Sequence, residues 1–204
     1  MATVSPLIVG RCVSDDSGTS SQWDAVGSVT LIKDSASNII ALVDCGGPCD
    51  KDRIIHELQS HEIVPSDVTH LFCTHGHTDH IGNINLFSSA TIYLDRDVSV
   101  GSKYSSIRFD KMTGEFEVSQ NISLYRLPGH TCHDLTVVVR NCSCLVSTGI
   151  VAITGDIFEC ENDDGLWEAN SWNVDIQRQS RLQISKLCNI IIPGHGPMFK
   201  LKTV

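Results

Sequence analysis

Four ligand-type side chains fall within six residues in the segment His75-Gly76-His77-Thr78-Asp79-His80. Imidazole is a common transition-metal ligand near neutral pH, and carboxylate suits the same borderline ions. Three histidines and an aspartate so close together make a poor core and a good metal loop. His75 and His77 lie two residues apart, on opposite sides of a helix, so they converge only from a bent loop. Asp79 and His80 are then expected to open the next helix, where the N-terminal dipole favours a carboxylate.

One local design recurs three more times: an apolar run, a glycine-containing turn, then a ligand-type side chain. Ile122–Leu127 leads through Pro128-Gly129 to His130, Ile150–Thr154 through Gly155 to Asp156, and Ile190–Ile192 through Pro193-Gly194 to His195. Glycine frees the backbone to aim the next side chain outward from a sheet edge. Together these strand ends deliver seven candidate ligands: His75, His77, Asp79, His80, His130, Asp156 and His195. A catalytic zinc takes three protein ligands plus water, so seven is too many for one ion. Seven suits two metals about 3.5–4 Å apart that share a carboxylate and a solvent molecule. The natural division gives His75, His77 and His130 to one metal, Asp79, His80 and His195 to the other, and Asp156 to both. Two Zn2+ fit this donor set better than iron or manganese. Two such ions bring the pKa of shared water to about 7 or below, which provides a hydroxide nucleophile at neutral pH. Asp79 is also placed to accept or relay that proton, and His133 is a candidate substrate contact.

The elements that position these residues are legible as short β-branched runs bounded by turn residues. Strands are expected at Leu7–Val13, Gly27–Ile32, Ile39–Val43, His70–Cys73, Thr91–Leu94, Ile122–Leu127, Leu135–Val139, Ile150–Thr154 and Ile190–Ile192. Apolar residues at three- and four-residue spacing predict helices over Lys51–His61 and Asn173–Cys188, with a short helix near Asp79. Asp95–Phe116 is polar and is expected to be a surface excursion. Strands in succession and strands separated by helices together suggest a layered α/β architecture of two packed sheets with outer helices.

The 204 residues, 41% hydrophobic and 19% charged, fit one globular domain spanning 1–204. No apolar run reaches the ~20 residues of a membrane span. The N-terminus lacks a basic region and cleavage site, so no signal peptide is expected and the location is expected to be cytoplasmic, with the nucleus as an alternative. A net charge of −9 without any Lys/Arg block argues against extended, non-specific nucleic-acid binding. Contact with a single phosphate at the metals stays open. Nine cysteines in such a chain point to reduced thiols. Cys73 and Cys188 read as small hydrophobes. Cys45/Cys49 and Cys142/Cys144 are lone pairs without a second half, so packing is favoured over zinc binding. Trp167 and Trp172 could stack a base, with burial or a dimer contact as the alternative. His56, His61 and His70 are expected at the surface or in packing.

With Val43-Asp44-Cys45-Gly46, the 75–80 cluster, Gly129-His130, Gly155-Asp156 and Gly194-His195-Gly196, nearly the whole chain resembles the metallo-β-lactamase superfamily. That resemblance implies a four-layer αββα sandwich of two mixed β-sheets flanked by helices. It also implies that Asp44 is a supporting carboxylate that orients the ligands without binding metal. Asp156 as a bridge resembles the glyoxalase II and RNA-processing branches more than the antibiotic-cleaving one. The 204 residues leave no room for the helical domain of full-length glyoxalase II or for the inserted cap of larger nucleases. Thr74 to Asn83, Gly155 to Glu159 and Pro193 to Pro197 resemble a small animal branch of the superfamily. This implies a zinc-dependent endoribonuclease in 3′-end processing of histone precursor transcripts, with RNA as partner, in a homodimer. A thioesterase or lactonase of glyoxalase II type, and a non-catalytic metal-binding protein, are the alternatives.

Overall fold

A computed structural model describes residues 1–14, 23–143 and 148–201 of the chain. The strands β1 (Ala2–Ile8), β4 (Val29–Asp34), β5 (Ile39–Val43), β6 (His70–Phe72), β7 (Thr91–Leu94), β8 (Asp97–Val100) and β9 (Lys103–Ser106) pair in that order as one half. The other half contains β10 (Glu115–Glu117), β11 (Ile122–Arg126), β12 (Leu135–Ser143), β13 (Thr148–Gly155), β14 (Ile190–Pro193) and β15 (Phe199–Lys200). Each half is mixed: β5/β6, β6/β7 and β13/β14 are parallel, while their neighbours are antiparallel. A separate antiparallel hairpin joins β2 (Arg11–Ser14) to β3 (Trp23–Val26).

Side-chain alternation along the strands builds the layers, because successive residues face opposite sides of a sheet. Ala41, Val43, Val137, Val139, Ile190 and Ile192 enter a core between the two halves. Their neighbours Leu42 and Leu71 face a second core with Ile54 and Leu58 of α1 (Lys51–Ser60). Val138, Ala152 and Ile191 face a third with Ile184 of α4 (Val174–Ser185), which follows the short α3 (Leu166–Asn170). Three cores separate four layers, helix–sheet–sheet–helix, as the resemblance implied. Burying each large aliphatic side chain in them stabilises by about 1.5–3 kcal/mol.

The two sheets are joined at one edge. The far end of β12 runs parallel to β1, pairing Ala2 with Cys142 and Thr3 with Ser143. A register shift between Val139 and Cys142, with Asn141 at φ 50°, bends β12 from one sheet to the edge of the other. The predicted strand Leu7–Val13 also divides, because the chain turns at Val9-Gly10 between β1 and β2. The excursion expected at Asp95–Phe116 is largely exposed; it carries β8 and β9 and the start of β10, while Ile107, Phe109 and Phe116 pack on the central core. Helix α4 stops at Ser185 rather than Cys188 and begins with Asn173, whose Oδ1 accepts from the Ile176 amide at 3.1 Å. No helix among the described residues is long and apolar enough to cross a membrane.

Candidate metal centre

The first ligand loop leaves the end of β6 and is held from behind by Asp44, at the end of β5. Asp44 adopts φ 60°, a conformation that Asp tolerates better than most residues. Its Oδ1 accepts from the Thr74 amide at 2.7 Å, and its Oδ2 from Thr74 Oγ1 at 2.8 Å. The same Oδ2 lies 2.8 Å from His80 Nδ1. The His80 ring thus turns Nε2 toward the cluster from α2 (Thr78–Ile81). This is the supporting geometry expected of Asp44.

The other three ligands leave the ends of β11, β13 and β14. Asp134 staples the His130 turn by accepting from the Gly129 amide at 2.9 Å and from the Thr131 amide and hydroxyl at 2.8 and 2.6 Å. Gly129 has φ 147° and packs on the Gln177 backbone of α4, which leaves no room for a side chain. Gln177 Nε2 in turn donates to the Asp156 carbonyl at 2.9 Å, and Arg181 donates to Ile157 O at 2.7 Å. Arg181 is gripped by both Asp163 oxygens and lies over the Phe158 and Trp167 rings. His195 Nδ1 faces Val26 O at 3.0 Å, so its Nε2 also points inward.

All seven sequence-predicted ligands converge. Asp156 Oδ2 lies 3.5 Å from His75 Nε2, 3.4 Å from His130 Nε2 and 3.3 Å from His195 Nε2, while its Oδ1 lies 3.1 Å from His80 Nε2. Asp79 Oδ2 is 3.7 Å from His80 Nε2 and 3.6 Å from His195 Nε2. The donor atoms sort into His75/His77/His130/Asp156 and Asp79/His80/His195, each set within 4.8 Å. This is the division drawn from sequence spacing, with Asp156 touching both sets. His77 Nδ1 sits 3.0 Å from both His75 Nε2 and His130 Nε2. His80 Nε2 and Asp156 Oδ1 are buried without a hydrogen-bond partner. Crowded nitrogens and orphaned inward-facing atoms fit metal ions as the missing partner.

Electrostatics divides the cluster along the same line. Burial keeps His75 well below the ordinary histidine range and lowers His130 to about 4. Burial pulls His80 down too, but Asp156 and Asp44 override it and raise the ring well above that range. His195 is likewise pulled down by burial and lifted by Asp156, to about 9. Burial opposes ionisation of Asp156, yet His80 and His75 hold its carboxyl well below the usual range.

A cavity of about 240 Å³ opens onto the cluster, lined also by Cys12, Trp23 and Ala25 of the β2/β3 hairpin and by Glu159 and Asn170. Cys12 is raised to about 11 by partial burial and by Glu159, Asp156 and Asp79. Glu159, raised to about 7 by burial and by Asp156, escaped the sequence reading, although its place three residues after Asp156 was a usable signal. Asp134, four residues after His130, escaped similarly.

His133 is not brought to the cavity; it lies 3.2 Å from Arg126 Nη2 on the surface side of its loop. Trp167 is buried beneath Arg181 and Trp172 is exposed, so neither lines the cavity; Trp23 does. His70 stacks on Tyr93, and His56 and His61 also lie outside the cluster. Cys45 and Cys73 are buried and Cys188 is half-buried, but Cys49 is exposed, so packing does not explain it. Cys144 lies outside the described residues. Among the described residues no cysteine joins a donor cluster.

A family model described as the metallo-beta-lactamase superfamily matches residues 23–100. The chain is 38% identical over 182 residues to the Xenopus laevis metallo-beta-lactamase domain-containing protein 1, covering 88% of this chain and 74% of that one. It belongs to the metallo-β-lactamase superfamily. It spans less of the human protein of the same name, 64% of its length. Among solved structures, the superfamily fold is shared with the metallo-β-lactamase FIM-1 from Pseudomonas aeruginosa in its mono-zinc form. That match has a TM-score of 0.68 at 15% identity, over 97% of this chain and 90% of that one. A quorum-quenching N-acyl homoserine lactone lactonase matches with a TM-score of 0.64 at 16% identity, over 91% and 86%. The fold and the His/Asp cluster together mark a metal-dependent hydrolase of this superfamily.

Proposed function

We propose that the chain is a dinuclear zinc hydrolase that cleaves phosphodiester bonds in RNA. The observation that carries the two-metal part is Asp156, which touches both ligand groups: Oδ2 lies beside His75, His130 and His195, and Oδ1 beside His80. His75, His77, His130 and Asp156 would hold one ion, and Asp79, His80, His195 and Asp156 the other. When bound, such ions supply Lewis acidity at a phosphoryl oxygen and a nucleophile from water at neutral pH. The chain supplies the rest. Asp44 and Val26 O fix two imidazoles, and Asp79, the most exposed carboxylate of the cluster, can pass a proton from its Oδ2 to solvent. Trp23, half exposed on the cavity wall, offers a stacking face for a base.

One observation favours a second substrate class. Among the described residues no Lys or Arg lines the cavity, while Asp79, Asp156 and Glu159 do. A neutral thioester or lactone suits that wall better than a polyanion.

A panel of single-stranded RNA, hairpin RNA, acyl-glutathiones and lactones, run on the zinc-loaded protein beside Asp79→Ala, separates the readings. The expected result is RNA cleavage that falls more than about 100-fold in the variant, beyond what loss of an outer partner costs. Thioester or lactone turnover without RNA cleavage would select the second class. Two bound metals with no turnover of any substrate would reject both and leave a non-catalytic metal-binding protein.

A further inference from the structure

Glu159 is a buried carboxylate, 1% exposed, and among the described residues no cationic side chain other than His195, at 3.9 Å, is paired to it. Its surroundings fix it firmly. The Glu159 amide donates to Asp163 Oδ2 at 2.9 Å, and its carbonyl accepts from the His195 amide at 2.8 Å. Asn170 Nδ2 donates to Oε1 at 3.0 Å, which leaves Oε2 on the His195 side. A carboxylate removed from water requires compensation by donors or by a cation. Oxygen and nitrogen donors of Asp156, Glu159 and His195 lie within 4.8 Å of one another. Beside it, His80 Nε2 and Asp156 Oδ1 are buried 3.1 Å apart and have no hydrogen-bond partner outside their own ion pair.

We propose that Glu159 is a further metal ligand on the His80/His195 side, and that it makes the two halves of the pair prefer different metals. This rests on the two-metal reading above and revises it in one respect, the identity of the second ion, which there was zinc. With Glu159, that side has two donor groups that overlap at His195, Asp79/His80/His195 and Asp156/Glu159/His195, which together contain three carboxylates. A site so rich in oxygen suits a six-coordinate cation such as Mn2+ or Fe2+. The other side offers three imidazoles and the shared Asp156, a four-donor set that suits tetrahedral Zn2+. Glu159→Gln keeps a carbonyl oxygen for Asn170 to donate to while removing the anionic oxygen.

The test is titration of metal-free protein with Mn2+ alone and with Zn2+ alone, read by metal content and by the electron paramagnetic resonance of bound Mn2+. In the wild type one Mn2+ per chain is expected to bind tightly even when one Zn2+ is already present. In Glu159→Gln the affinity for that Mn2+ is expected to fall by about tenfold or more, the scale on which ligand-shell changes act, while Zn2+ affinity moves much less. Glu159→Asp, which keeps the charge but withdraws the oxygen by one methylene, gives the same pattern and carries the test if the glutamine variant does not fold. Two metals per chain with a Mn2+-to-Zn2+ preference unmoved by either variant would overturn this proposal alone. Equal loss of both metals would also overturn it, because that is the mark of a structural role. One metal per chain in the wild type would overturn the two-metal reading and this proposal together.

Discussion

The two ligand groups use the same residue types and are held in opposite ways. In the His75/His77/His130 group, burial keeps His75 and His130 neutral; Thr74 Oγ1 stands 3.1 Å behind His75 Nδ1, but His130 Nδ1 has no hydrogen-bond partner. In the Asp79/His80/His195 group, each imidazole is braced from behind, His80 by Asp44 and His195 by Val26 O. Those same rings carry protons in the metal-free chain because Asp156 stands beside them. One group is therefore deprotonated but unsupported at His130, and the other is firmly oriented but must surrender protons to bind a cation. Ligand orientation and ligand readiness are thus separate properties, supplied by different neighbours.

Asp156→Ala removes what the two groups share and is expected to have the largest effect. Both sites should weaken by more than about 100-fold, exceeding the usual cost of an outer-shell change. Metal content after dialysis checks this, and retention of two metals would refute the sharing. Asp44→Asn comes next, since Asn tolerates the positive φ but brings no charge to His80. The Asp79/His80/His195 site is expected to lose about 10–100-fold in metal affinity while the other changes little. Equal weakening at both sites would erase the distinction.

Acidity divides the groups more gently. Binding at the His80/His195 side should strengthen as pH rises toward about 9, where His195 gives up its proton, while the other side should be flat above neutrality. The stability of the metal-free chain runs the other way. A histidine raised from its usual value of about 6.5 contributes stability that is full below that pH and is lost as pH climbs through the folded value. Melting temperatures of metal-free protein between pH 6 and 9.5 should therefore fall as metal affinity grows; a parallel rise would contradict the assignment. The smallest effect belongs to His133→Ala, which lies outside both groups and should leave metal content unchanged and stability within about 0.5 kcal/mol.

The convergence of the seven candidate ligands was legible because several histidines and aspartates stand together at turns, each after a strand that the β-branched pattern marks clearly. Ile39–Val43 and Thr91–Leu94 match their observed strands at both ends. What escaped lacks a local signature. Strands β8 and β9, largely exposed and polar, follow from hydrogen bonding to β7 rather than from apolar alternation. The bend that carries β12 onto β1 depends on a partner more than a hundred residues away. His133, a candidate substrate contact in sequence, shares the loop of the candidate ligand His130, yet the Asp134-stapled turn aims only His130 inward. Trp23 and Glu159 reach the cavity through a hairpin and a loop packed against it, an adjacency that only tertiary structure creates.

The central claim is that the seven side chains, rather than any of the nine cysteines, hold two metals. X-ray absorption at the zinc edge of fully loaded protein, with zinc counted per chain, tests it most directly. The account predicts two zinc ions in a shell of nitrogen and oxygen at about 2.0–2.2 Å with no sulfur contribution. A sulfur shell near 2.3 Å, or a single zinc per chain, would contradict it.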